Sequence, residues 1–279
     1  MKTINLIFKL LIILALIVLI LPFQIFSNIL NLKFRYLVPY LFFKLVNFFL
    51  GIKIELDQQS KVYLSNRSEV GSLYVSNHVS WIDIVAIGSL IKSRFIAKKE
   101  VKAMGIFGFL AALNNTFFID NSKATKSLDY SNNISKKLLN GENLILFPEG
   151  TTSDGSAIRQ FKSSFFESAN SKYLCPNSRE EKFINVYPIT LCYLKKNGLP
   201  MGINVRRGVA WIGDYPMLRL MYDFLISGNV SIYINISNAV TFKDFGDRKK
   251  LSYHCENTIL ANLTNTIHPW VKWKTNLSS

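Results

Sequence analysis

From Leu10 to Phe23 the chain is unbroken in its apolarity, and between Ile4 and Phe23 the only charge is Lys9. A helix rising about 1.5 Å per residue covers the roughly 30 Å of bilayer hydrocarbon in some twenty residues, so this segment is long enough to span. Pro22-Phe23-Gln24 follows with no small-residue cleavage pattern, which argues against a secretory signal. A second apolar run, Tyr36 to Ile52, contains Pro39 and Lys44 and lies between Arg35 and Lys53, the pattern of an interfacial or re-entrant helix with basic residues at headgroup depth. Two arrangements stay open: a hairpin dipping into one leaflet, or a single crossing by Ile4 to Phe23. Lys2 and Lys9 on one side and Lys33 and Arg35 on the other do not orient it.

After Ile52 the pattern changes to short β-rich runs alternating with longer stretches of helical period. The runs predict strands at Ile52–Leu56, Ser72–Ser76, Arg94–Ala97, Thr116–Asp120, Leu144–Pro148, Ile184–Leu194, Val205–Trp211 and Val230–Val240. Helical spacing predicts Ile82–Ile91, Val101–Ala112, Lys123–Leu139, Phe161–Ala169, Met217–Ile226 and Asp247–Ile267. No repeat or low-complexity linker divides the chain after residue 53. The expected architecture is therefore α/β: a membrane anchor over 1–53, then one domain over 54–279 with a largely buried mixed sheet covered by helices.

Composition sharpens this. Thirty-three Lys and Arg against eighteen Asp and Glu leave +15, and 49% of residues are hydrophobic, a pairing suited to a protein held against an anionic membrane surface. The basic residues are dispersed and carry no nucleic-acid motif, so nucleic acid is not an expected partner. Cys175, Cys192 and Cys255 are odd in number and widely spaced, which indicates neither a disulfide framework nor a zinc site. A reducing, cytosol-facing compartment is the default, and no metal or cofactor is expected.

Candidate chemistry gathers in two runs. His78 follows the strand Ser72–Ser76 and precedes a helix starting near Trp81, a position where α/β sheets commonly bind ligands. Ser80 and Asp83 read as a capping box. Five helical residues rotate by about 500°, so His78 and Asp83 can meet only if His78 lies outside the helix. The carboxylate can then fix the imidazole tautomer and strengthen its other nitrogen as a base. The second run, Phe147-Pro148-Glu149-Gly150-Thr151-Thr152-Ser153, leaves the strand before it in the same way, so the two can converge on one crevice. Pro148 and Gly150 also suit a simple turn. No Gly-x-Ser-x-Gly elbow surrounds Ser80 and no cysteine has a neighbouring histidine, so direct transfer without an enzyme nucleophile is expected. His254 and His268, in the carboxyl-terminal tail, are read as structural.

Asn77-His78, Asp83 and Phe147-Pro148-Glu149-Gly150-Thr151, with Val186-Tyr187-Pro188-Ile189 further on, resemble the glycerolipid acyltransferase family, in particular its bacterial 1-acyl-sn-glycerol-3-phosphate acyltransferases. The likeness runs from about residue 73 to 190. It implies that His78 is the general base and Asp83 its orienting partner, and that Glu149, Gly150 and Thr151, with Asn77, bind the acceptor. It also implies an acyl carrier protein or coenzyme A thioester as donor, the sn-2 hydroxyl of lysophosphatidic acid as acceptor, membrane lipids as surroundings, and a bacterial inner membrane with the domain facing the cytoplasm. Two departures bear on the headgroup: Asn121 and Thr152 stand where the family usually has arginine, and neither offers bidentate contacts to phosphate. Arg159, Lys162, Lys123 and Arg206-Arg207 are the cations that could replace them. Otherwise the acceptor carries no phosphate, as in related lyso-ornithine lipid acyltransferases, or the chain binds lipid without catalysis.

Overall fold

In a computed structural model, residues 2–30, 32–65, 70–120, 127–175, 180–213 and 215–267 are described. Helix α1 (Lys2–Ile29) is longer than the apolar run predicts and continues through Pro22; it has the length and apolarity to cross a membrane. Helix α2 (Leu37–Leu50) buries Pro39, Phe43, Val46, Asn47 and Leu50. It packs on α4 (Ile82–Gly88), where Asn47 Nδ2 donates to Ser89 Oγ at 2.6 Å. The second apolar run is thus built into the domain's core rather than standing apart with α1 in a separate 1–53 anchor. Leu41, Leu45 and Phe48 remain on its outer face.

The remaining helices are α3 (Gln58–Ser65), α5 (Lys99–Lys102), α6 (Ile106–Leu113), α7 (Ser127–Leu139), α8 (Ile203–Arg207), α9 (Met217–Ser227), α10 (Phe242–Phe245) and α11 (Arg248–Ile267). The strands are β1 (Ile52–Leu56), β2 (Leu73–Ser76), β3 (Arg94–Lys98), β4 (Phe117–Ile119), β5 (Leu144–Leu146), β6 (Lys172–Leu174), β7 (Glu181–Phe183), β8 (Val186–Lys196), β9 (Leu199–Pro200) and β10 (Val230–Ile236). One mixed sheet runs in the order β1-β10-β8-β2-β5-β3-β4, with β9 beside β8; β6 and β7 form a separate hairpin. The centre, β8-β2-β5-β3-β4, is parallel, and β10 is antiparallel to β8.

Side chains alternate across this sheet with the period of two that strand geometry imposes. Ile145, Ile189, Leu191 and Tyr193 face the core under α2, α4 and α9. Leu73, Val75, Leu144 and Leu146 face the opposite core under α7 and α11. Both faces are covered, as a parallel sheet requires.

Three predicted elements differ. The helix expected over Val101–Ala112 is two helices, because Gly105 takes a left-handed φ of 55° that ends the first. Residues 163–169 form a 3-10 rather than an α-helix. Val205–Trp211, read as a strand from its valines, contains the end of α8 and a turn. The reason is the upper edge of β8, which has no room for another strand. Asn77 there takes both backbone groups of Leu191, Met201 N donates to the Leu194 carbonyl at 2.8 Å, and buried Arg206 reaches the Tyr193 carbonyl.

Candidate active site

The two polar runs leave the carboxyl ends of β2 and β5, which are neighbours in register: Leu73 to Val75 pair with Leu144 to Leu146. Both turns therefore meet at one rim of the sheet. His78 N donates to Glu149 Oε1 at 2.7 Å, and the His78 carbonyl accepts from Ser153 N at 2.8 Å and from Ser153 Oγ at 3.2 Å. The imidazole lies flat on the Phe147 ring, centroids 4.0 Å apart and 15° between planes. The second run thus grips the histidine by its amide, its carbonyl and its ring face.

The first run supplies the remaining hold. The helix α4 starts at Ile82, so His78 lies in the turn before it, and Asp83 Oδ2 sits 2.8 Å from His78 Nδ1. The same oxygen accepts from Val79 N at 2.6 Å and Ser80 N at 2.8 Å. Half of the predicted capping box is present: Asp83 takes the Ser80 amide, but α4 has no side-chain cap in return. The other oxygen, Oδ1, accepts from the Tyr193 hydroxyl at 2.6 Å. Asp83 is fully buried, and four donors replace the water a buried carboxylate loses.

This arrangement fixes the chemistry of the ring. Oδ2 already accepts two backbone amides and so meets Nδ1 as an acceptor, which puts a hydrogen on Nδ1 and leaves Nε2 as the ring nitrogen turned away from Asp83. The ring retains 16% exposure, and Nε2 makes no hydrogen bond among the described residues. A ring nitrogen without a described partner is therefore aimed outward from a held seat.

Glu149 is 4% exposed and binds two backbone amides, His78 N through Oε1 and Arg159 N at 2.8 Å through Oε2. Burial pushes its carboxyl up to about 7, opposed by those two amides. Its carboxylate ties the two turns together and points away from solvent. Asn77 is likewise fully buried, donating to the Leu191 carbonyl at 2.9 Å and accepting from Leu191 N at 2.8 Å. That amide extends the β2–β8 ladder by one step past the last strand residue. Neither side chain has a free polar atom to offer an acceptor.

Half-buried Gly150 and exposed Thr151 form the tip. Gly150 has a φ of 68°, and a Cβ there would stand 2.9 Å from Lys162 Nζ, so the lysine amine lies over the glycine. Lys162 and Arg159 are both exposed, and the Lys162 amine is the cation placed against the tip. Thr152 Oγ1 donates to the Trp211 carbonyl. Asn121, Lys123 and His268 lie outside the described residues. Asp154 is held down near 2, chiefly by the Ser156 hydroxyl and amide and then by Arg207.

Sequence reasoning missed Tyr193 and Trp211. Strand alternation puts Tyr193 on the face toward α4, a signal available in principle, but nothing in the sequence pairs it with Asp83 across 110 positions. Trp211 N donates to the Val79 carbonyl at 2.8 Å through its backbone, which leaves no sequence signature.

An acyltransferase family model matches residues 54–191. The chain is 32% identical to the lyso-ornithine lipid O-acyltransferase of Rhizobium meliloti over 84% of its own length and 77% of that protein. It is 35% identical to the 1-acyl-sn-glycerol-3-phosphate acyltransferase of Neisseria gonorrhoeae over 36% of its length and 39% of that one. In three dimensions it resembles the 1-acyl-sn-glycerophosphate acyltransferase of Thermotoga maritima, with TM-score 0.64 at 18% identity, over 95% of this chain and 97% of that one. At that identity the likeness is one of fold.

Proposed function

The chain belongs to the acyltransferase family, and from that premise we propose that it moves a fatty acyl group from an acyl thioester to the free hydroxyl of a lysolipid at a membrane surface. The observation that carries this reading is the fully buried Asp83, held by three other donors and hydrogen-bonded to His78 Nδ1 so that Nε2 turns outward. Nε2 takes the proton of the acceptor hydroxyl as its oxygen attacks the thioester carbonyl carbon. The carbon–sulfur bond breaks, and the thiolate leaves with the proton that Nε2 held. General base catalysis of this kind contributes roughly 10²- to 10⁴-fold. The donor is an acyl carrier protein or coenzyme A thioester, and no resident cofactor or metal takes part. The domain faces the cytoplasm at a bacterial inner membrane, where such thioesters are available.

Both ends of α1 support a monolayer rather than a crossing arrangement. Leu6 and Ile13 pack against the core that holds Leu220 and Phe224, and Gln24 Nε2 donates to the Leu113 carbonyl at 2.8 Å. A helix laid along the domain over its length dips into one leaflet.

For the headgroup, Thr152 directs its hydroxyl to a backbone carbonyl and Asn121 carries no charge. This favours an acceptor without phosphate, a lyso-ornithine lipid, as in the Rhizobium relative. Lysophosphatidic acid, giving phosphatidic acid, is the second reading, favoured by the Lys162 amine over Gly150. Purified full-length protein offered a labelled acyl thioester with each lysolipid separates them. Product from the lyso-ornithine lipid alone supports the first reading, product from lysophosphatidic acid alone the second. Free fatty acid without acylated product from either defeats acyl transfer to lysolipid.

A further inference from the structure

Helix α9 is apolar on two faces. Leu220, Phe224 and Leu225 are buried in the core under the sheet. On the other side Leu218 is 71% exposed and Tyr222 48%, with Tyr215 and Ile212 exposed just before them. A spacing of four residues puts 218 and 222 on one stripe of α9, and Tyr215 lies just before the helix. Arg219 and Asp223 pair at 3.8 Å on the same exposed side, and the apolar side chains beside them border water with no described element over them.

Three observations say what covers it. First, α9 packs beside α1, whose outer surface exposes Phe8, Leu11, Leu14 and Leu19, so the stripe continues an apolar surface already suited to a bilayer. Second, exposed cations accompany the stripe: Lys195, Arg207, 3.2 Å from Asp154, and Arg219, 69% exposed and 3.8 Å from Asp223. Tyrosine and leucine flanked by cations match the interface between acyl chains and anionic headgroups. Third, the backbone between stripe and catalytic turns is short and tied. Trp211 Nε1 donates to the Tyr215 carbonyl at 2.9 Å, while Trp211 N and its carbonyl bond Val79 and Thr152 on the two turns.

We propose that the outer stripe of α9, with Ile212 and Tyr215, is a second bilayer-docking surface that seats on anionic phospholipid and holds the His78 rim at the membrane interface. Docking is independent of acyl transfer; only its use in admitting lysolipid rests on the proposed function.

The test attaches an environment-sensitive fluorophore to full-length protein carrying Leu218→Cys. A control carries Tyr253→Cys on α11, 66% exposed and on the opposite face of the sheet. The native cysteines are buried and react less readily than these. On vesicles of phosphatidylcholine and phosphatidylglycerol containing a lipid quencher, strong quenching at 218 and little at 253 is expected, weakening without phosphatidylglycerol. Equal quenching at both positions, or none at 218, overturns the proposal. Shielding of 218 by an acyl carrier protein but not by vesicles also overturns it and gives the face to a protein partner. The double variant Leu218→Glu/Tyr222→Glu, on surface positions, should raise the lipid concentration for half-maximal binding about tenfold or more. Its turnover on detergent-dispersed substrate should be unchanged. Quenching at 218 in a protein that transfers no acyl group would sink the proposed function and leave the docking surface standing.

Discussion

The corner around His78 and the outer surface of α1 and α9 follow opposite rules. At the corner three buried polar side chains that frame the histidine are paired: Asp83 takes four donors, Glu149 two amides and Asn77 both groups of Leu191. Along the outer helices large apolar side chains such as Phe8, Leu14 and Leu218 face outward, exposed among the described residues. Folding alone completes the first region, because each partner there is another part of the chain. The second is completed only by something apolar from outside. Catalytic geometry and access to substrate are thus separable properties. Changes at the corner should alter turnover or stability in any medium, and changes on the outer surface only what depends on lipid.

The largest effect at the corner is expected for Asp83→Asn. The Val79 and Ser80 amides keep the side-chain oxygen facing Nδ1, so the tautomer survives and only the charge that steadies the imidazolium is lost. That is a cost of about 3 kcal/mol, roughly 10²-fold in turnover, with fold and vesicle binding intact. An unchanged rate would break the dyad.

Next comes Glu149→Gln, whose amide nitrogen must face one of the two N–H donors; a loss of about 2 kcal/mol in chemical denaturation is expected. The same variant sharpens a pH effect. Because burial raises the Glu149 carboxyl to about 7, against about 4.5 when unfolded, the folded chain binds that proton more tightly. Its contribution is full below the unfolded value and is lost as pH rises toward 7. The melting temperature should therefore carry a downward component over that window, absent in Glu149→Gln.

The smallest expected effect is Tyr193→Phe, about 1 kcal/mol of stability. With one donor fewer on Asp83, more of its charge faces the imidazole, so the acid limb of the rate profile should move to higher pH. A pure stability loss with an unmoved limb would make Tyr193 structural only.

What was legible in the sequence follows the same division. The apolar run of α1, the strand–turn–helix at His78 and the apolar strand before Glu149 are local patterns, and the structure has those elements where the patterns lie. The meeting of the two turns depends on β2 and β5 being neighbours although β3 and β4 intervene in the chain, which no local pattern encodes. Val205–Trp211 misled because valines favour strands, while the edge such a strand needs is closed by Asn77, Met201 and Arg206. Asn77 and Glu149 read as acceptor contacts because motifs advertise polar residues without saying which way they face; here both face backbone.

The role of His78 is tested most directly by the rate of acyl transfer from labelled thioester to lysolipid by purified His78→Ala, compared with the unaltered protein at equal vesicle occupancy. The prediction is a fall of roughly 10²-fold or more, with the fold retained and vesicle binding unchanged. Transfer at an undiminished rate would contradict it.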